Sequence, residues 1–300
     1  MKTLKYINIM KTFRLILNFT LAFVFAGYSC SSSKNAQRSK DKDFVDAKYE
    51  CSWRVKFIND TISMIQGPED RFILLIGDDY AYEYSQTCFL RDSMFDNYSA
   101  AHTPLELKNR NLLWGNDLFR ARLYKDYKSK KITVVDMISH HRFIYEEELI
   151  SQNWLLKEDT IIIAGYMCQR AECRWRGRDW TAWFTPEIPI SEGPWKFMGL
   201  PGLIVKLHDT KRHYEFELAK FRETDAKIDI QPVLRGTTTY FLNQPVNTVI
   251  LKPRKIERKE FLRLMYGNQI YDMSAAQAAT VGIQLAPRDI KFDHLERDYK

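Results

Sequence analysis

The 300 residues carry 45 Lys and Arg against 38 Asp and Glu, a formal net charge of +7, with 45% hydrophobic residues. That length allows one large domain or two small ones with a sizeable core. The charge sits mostly at one end. Lys2, Lys5, Lys11 and Arg14 precede residue 30 with no acidic residue among them, so the remainder has 41 basic against 38 acidic side chains, net +3. A mildly basic chain of this kind excludes a strongly charged nucleic-acid surface, and no nucleic-acid partner is expected.

The N-terminus reads as an export signal. A basic start is followed by the apolar stretch Leu15 to Ala26, broken only by Asn18 and Thr20, and then by small residues. That stretch is shorter than the ~20 apolar residues of a membrane span. Met10 can serve as the start, since residues 1–9 add little. Residues 1–29 are therefore assigned to a signal peptide. Cys30 comes after Gly27, Tyr28 and Ser29 and is the candidate lipidation site. The polar run after it makes residues 30–44 a tether between membrane and domain. One acyl chain binds a membrane only marginally, so stable anchoring needs several chains on Cys30. The expected location is the periplasm or outer membrane, with the cell surface as a variant. With Cys30 set aside, Cys51, Cys88, Cys168 and Cys173 are an even set that an oxidising compartment allows to pair. Cys168 and Cys173 are five residues apart, so on one strand they share a face only across a bulge.

From residue 45 onward strands dominate. "AKYECSWRVKF", "RFILLIGDDYAYEYS", "KKITVVDMI", "HRFIYEE", "TIIIAGYMCQRAECRW", "RDWTAWFT", "GLIVKLHD" and "RHYEFELAKFRE" are short, rich in aromatic and β-branched residues, and separated by turn signals. Arg176-Gly177 and "DTKRH" read as hairpin tips. Two helices are expected. One is "SQTCFLRDSMFDNY" with Ser85 as cap, the other "RKEFLRLMYG" with Phe261, Leu262, Leu264 and Met265 on one side and Gly267 as terminator. The densest basic run, "KPRKIERK", reads as a solvated approach to that second helix. Residues 45–300 form a single mainly β domain.

"GPWKFMGLPGLIVKLHD", residues 193–209, is glycine-rich but lacks the spacing of a phosphate loop, and the residues after Gly202 are strand-like. Pro201-Gly202 suits the centre of a type II turn, and Gly193-Pro194 makes a second corner. Trp195, Phe197 and Leu200 lie between the two as an apolar plug.

Residues 166–209, with Gly177-Arg178, "AWFTPEIP", "GPWKF" and Gly199-Leu200-Pro201-Gly202-Leu203-Ile204, resemble the GLPGLI family of exported Bacteroidetes proteins. The resemblance covers about residues 45–225. It implies a bowl-like domain, similar to the N-terminal domain of type II peptide-N-glycosidase F, in which a curved antiparallel sheet or open half-barrel wraps an apolar concavity. It supplies no catalytic set, cofactor or metal.

Two functions compete. In the first, the chain is a non-catalytic binding or scaffold module for a peptide, glycan or lipid ligand, or for an envelope partner such as a TonB-dependent transporter. Trp175, Trp180, Trp183, Trp195 and Phe197 would then form an aromatic wall. Alternation puts Trp175 and Trp180 on opposite faces of a regular hairpin, so the five cannot all share one surface. In the second, the chain is a peptide- or glycan-directed hydrolase using Glu187, fixed between two prolines, with Asp179 or His208 as the paired group. The plainer reading of Glu187 is a hydrogen-bond partner for Arg176 or Arg178. His208 and His213, placed opposite each other across the "DTKR" turn, are the best metal pair among six histidines, and solvated turn residues are the plainer reading.

Overall fold

The computed structural model describes residues 44–61, 64–67, 69–90, 119–138, 141–230, 240–241, 244–245, 253–266 and 295–298. The chain divides into Met1–Val45 and Asp46–Lys300. The export signal, Cys30 and nearly all of the tether lie outside the described residues. Among the described residues no helix is long and apolar enough to cross a membrane.

The strands are β1 (Phe44–Asp46), β2 (Tyr49–Asp60), β3 (Ile65–Gln66), β4 (Asp70–Ile76), β5 (Tyr80–Ser85), β6 (Arg122–Asp126), β7 (Lys131–Ile138), β8 (His141–Glu148) and β9 (Leu155–Ile163). They continue as β10 (Tyr166–Trp175), β11 (Arg178–Thr185), β12 (Leu203–Asp209), β13 (Tyr214–Glu223), β14 (Lys227–Asp229), β15 (Tyr240–Phe241), β16 (Gln244–Pro245) and β17 (Arg254–Lys255). One sheet dominates, in the order β17-β8-β7-β6-β5-β4-β2-β13-β12-β11-β10-β9, with β3 added to β2. Its ladders are antiparallel except for β17, which runs parallel to β8. The path does not close, so β9 and β17 are its edges.

Contacts across the sheet show that it curls. Trp195 N–H donates to Glu83 on β5, and Lys196 reaches Tyr145 on β8. The next residue, Phe197, packs at 4.8 and 4.7 Å on Trp175 of β10 and Trp180 of β11. In a flat sheet β8 and β11 would lie about 38 Å apart, eight spacings of ~4.8 Å. Three consecutive residues span that separation only if the sheet wraps around them. The architecture is an open, curved antiparallel sheet, as expected, and the core lies inside the curl.

Alternation decides which residues enter it. β2 sends in Cys51, Trp53, Val55 and Phe57, and β13 sends in Tyr214, Phe216 and Leu218. A helix over residues 86–90 starts with Ser85 Oγ accepting the Cys88 N–H at 3.2 Å, an N-cap. The rest of that expected helix lies outside the described residues. Helix α1 (Arg258–Tyr266) buries Phe261 and Leu262 against Phe143 and Tyr145, as its spacing predicts. Gly267 lies outside the described residues.

Four expectations need correction. Cys168 and Cys173 do share the core face, through a bulge at Gln169/Ala171, yet all four of Cys51, Cys88, Cys168 and Cys173 are free, buried thiols. Five residues along a strand separate Cys168 from Cys173 by about 16 Å, far beyond disulfide reach. Burial pushes their thiols up to about 11 and about 12, which keeps them inert. Trp175 and Trp180 lie on the same face. The two-residue turn Arg176-Gly177, with φ of 51° and 78°, pairs Trp175 with Arg178 and so resets the alternation. Pro201-Gly202 is not a type II turn. Gly202 has φ +152° and donates to Leu200 O at 2.8 Å, while Leu203 N–H goes to Ile188 O. Finally, β12 and β13 set His208 opposite Glu215, so His208 and His213 do not face each other.

Candidate functional site

The segment between β11 and β12, residues 186–202, fills the curl. Leu200, Leu203, Ile204 and Phe197 are at most 1% exposed, and Trp195 is 9% exposed. Trp53 Nε1 donates to Ile204 O at 2.8 Å, which ties β2 to the start of β12, where the segment ends. Gln152 clamps it from the other side, donating to Lys196 O and accepting from Met198 N–H. Trp195 holds a left-handed φ of 60°, a strain of about 1–2 kcal/mol. Two hydrogen bonds hold it there, from its N–H to Glu83 and from its indole to Glu296. Gly202 lies so close to β11 that a Cβ would sit 2.1 Å from Thr185 O. The glycines and prolines therefore serve close backbone approach in a packed plug.

Of the five aromatic residues expected to line a wall, Trp180, Trp195 and Phe197 are core, and Trp175 packs against Phe197. Trp183 alternates onto the opposite face of β11 and is half-buried. The concavity holds the chain's own side chains where a ligand would have to sit. Gly177 and Arg178 are structural too. Arg178 is buried against Asp209 at 2.8 Å, donates to Leu295 O, and lies over the Tyr214 ring. A Cβ on Gly177 would sit 2.8 Å from the Cβ of Arg297.

Around the plug lies a charged cluster that no local pattern signals. Arg176, Lys196 and Arg258 face Glu147, Glu296 and Asp298, three charges of each sign. Lys196 Nζ lies 2.8 Å from Glu296 and also pairs with Glu147, while Arg176 bridges Glu147 at 2.6 Å and Asp298 at 2.8 Å. Burial works to raise the Glu296 carboxyl, but Lys196 and Arg258 outweigh it and hold it well below the usual range. Asp298 likewise lies at about 2, with burial opposed by Arg258 and Arg176. A second buried group joins Lys125 to Glu192 at 2.5 Å, and Tyr127 donates to the same carboxylate at 2.7 Å.

At two acids burial outweighs the nearby cations, Lys125 at Glu83 and Arg120 and Lys196 at Asp136. Desolvation lifts Glu83 to about 8, and its Oε2 has no hydrogen-bond partner among the described residues. Desolvation likewise lifts Asp136 to about 7. Between about pH 5 and pH 8 the folded chain thus holds protons that the unfolded chain has released, so stability falls as pH rises through that window. Below about pH 4, Glu296 and Asp298 begin to protonate in the unfolded chain first, and the stability they contribute is lost. Urea midpoints measured against pH should peak near pH 4–5, and Glu83→Gln should flatten the decline toward pH 8. A midpoint that climbs from pH 5 to pH 8 would contradict this assignment.

The hydrolase residues do not converge. Glu187 is exposed and accepts the Met167 N–H at 2.7 Å, not a bond from Arg176 or Arg178. Asp179 pairs with Arg174 at the other end of β11, six strand residues or about 20 Å from Thr185. His208 lies opposite Thr181, at that same far end. Among the described residues no three His, Cys, Asp or Glu side chains are grouped to hold a metal.

Among the described residues the tip of hairpin β9–β10 keeps several apolar side chains exposed, while Ile163 and Tyr166 pack against the core. Ile162 is 67% exposed, Met167 51% and Ile161 48%, with Leu155 and Leu156 also exposed further down β9. β10 pairs with β11 only from Gln169 onward, so the turn at Ala164-Gly165 overhangs β11 by three to four residues. Glu187 takes the Met167 N–H that β11 no longer receives. β9 contributes no buried residue.

Residues 174–206 match the family Porph_ging, described as a protein of unknown function. No curated protein matches the chain. Two solved structures of PNGF-II, in the P21 and C2 space groups, are each similar to it at 12% identity, with TM-scores of 0.45 and 0.46. Each match covers 73% of this chain and 33% of the PNGF-II chain, so the chain spans about a third of the length of those proteins.

Proposed function

We propose that this chain is a non-catalytic docking module of the cell envelope. Residues 1–29 direct export, Cys30 takes the lipid anchor, residues 30–44 tether the domain, and the domain makes its contact through the hairpin β9–β10. The chain then resides in the periplasm or at the outer membrane. One observation carries the reading: the inside of the curl is filled by residues 186–202, while a strand pair that overhangs the sheet presents apolar residues on both faces. Residues 160–167, "TIIIAGYM", contain no charged residue. A surface of this kind is costly in water, at ~25 cal/mol per Å² of apolar area, and marks a contact site. The hydrolase reading lacks an acid–base pair, since Glu187 lies a strand length from Asp179 and His208.

The test is envelope fractionation of cells expressing the chain with Cys30→Ser, which removes the lipid but keeps the domain. Ile161→Asp with Ile162→Asp should lower the envelope-bound fraction about tenfold or more and leave the urea midpoint unchanged, because both positions are exposed. An unchanged envelope-bound fraction would sink the reading.

A further inference from the structure

We propose that the surface met by the overhanging hairpin is a lipid bilayer, with the exposed side chains of Ile161, Ile162 and Met167 entering the boundary between headgroups and acyl chains. This rests on the docking reading above and names its partner. A protein groove would recognise one face of a strand. Here Ile161 and Ile162 alternate onto opposite faces of β9 and are 48% and 67% exposed, so immersion in a fluid apolar phase covers both where a groove covers one. The overhang of three to four residues is about 10–13 Å long at ~3.3 Å per residue. That is long enough to reach the ~5–10 Å depth to which interfacial elements bury their apolar side.

Below the apolar tip the ribbon changes character. Arg170 pairs with Asp159 at 2.8 Å, and Lys157 pairs with Glu172 at 3.2 Å. These pairs form a charged collar that stops deeper entry. The ladder also breaks here, because three residues of β9 (157–159) oppose one of β10 (Arg170) between Thr160/Gln169 and Leu156/Ala171. A bulge and central charges blunt an edge strand against strand addition from another protein, which again favours lipid over a protein strand.

Vesicles of phosphatidylethanolamine and phosphatidylglycerol are the probe. The full chain with Cys30→Ser is labelled with an environment-sensitive nitrobenzoxadiazole dye at Ile162→Cys, and in a second preparation at Lys211→Cys on the β12–β13 turn. The four native thiols are buried. On adding vesicles, the dye at 162 should brighten several-fold and be quenched by spin-labelled lipid. The dye at 211 should do neither. Adding Ile161→Asp to the first preparation should abolish the brightening. A dye at 162 that stays in water while the chain co-sediments with vesicles overturns the lipid assignment. If the aspartate pair at 161 and 162 still releases the chain from the envelope in cells, docking stands and its partner is a protein. If neither experiment responds, both readings fall.

Discussion

Replacing Lys196 by methionine should cost about 3–5 kcal/mol, the range for removing one partner of a buried ion pair. The ammonium is 1% exposed and contacts both Glu147 and Glu296. Methionine keeps most of the volume, so the loss is electrostatic. It leaves Glu147, Glu296 and Asp298 facing two guanidinium groups, with one carboxylate uncompensated inside the curl. For a domain of this size each kcal/mol moves the melting temperature by ~2–4 °C, so a drop on the order of 10 °C is expected. Adding Glu296→Gln should recover part of it, because the cluster then carries two charges of each sign. Calorimetry on the single and double variants checks both points, and simple additivity would show that the two side chains do not act together.

Gly202→Ala should cost at least about 3 kcal/mol, far more than Gly165→Ala. Both glycines have positive φ, +152° and +87°, so both substitutions carry backbone strain of about 1–2 kcal/mol. Their surroundings differ. A Cβ at 202 would lie 2.1 Å from Thr185 O and 2.6 Å from its carbonyl carbon, whereas a Cβ at 165 meets nothing within 4 Å. Relief at 202 requires moving backbone of β11 or of the plug, and neither is free to move. Denaturant unfolding of the two variants side by side separates strain from close approach. Equal losses would mean that position 202 is not packed against β11 as described.

The strands and the curled sheet were legible because alternation, turn residues and the resemblance over residues 166–209 all pointed the same way. The plug was legible at Trp195, Phe197 and Leu200, whose apolar side chains sit between two proline corners. Three physical causes hid the rest. Long-range ion pairs leave no local trace: Arg176 meets Asp298 122 positions away, and Lys196 meets Glu296 100 positions away. Alternation can mislead about which phase is buried. In "YAYEYS" the tyrosines face outward and stack on one another, while Ala81, Glu83 and Ser85 face the core. Lys125 in "RLYKD" is buried for the same reason. Counting parity through a hairpin turn also fails, which is how Trp175 and Trp180 came to share Phe197 instead of facing apart.

The exposed hairpin lay in plain view as "TIIIAGYMC", but an apolar run in a β protein reads as interior. Only the register, with β11 leaving the ladder before the turn, shows that Ile161, Ile162 and Met167 stay exposed there.

Amide hydrogen exchange across residues 195–204 in the intact chain tests the scaffold role of the plug most directly. The amides of Trp195, Phe197, Met198, Gly199, Gly202, Leu203 and Ile204 all donate within the fold. If the plug is core, they exchange only when the whole domain unfolds, with protection equal to that of β2 and β13 and falling in parallel with added urea. Exchange through a local opening, fast and insensitive to urea while β2 and β13 stay protected, would mean that the segment lifts off the sheet and uncovers a ligand site, which contradicts the account.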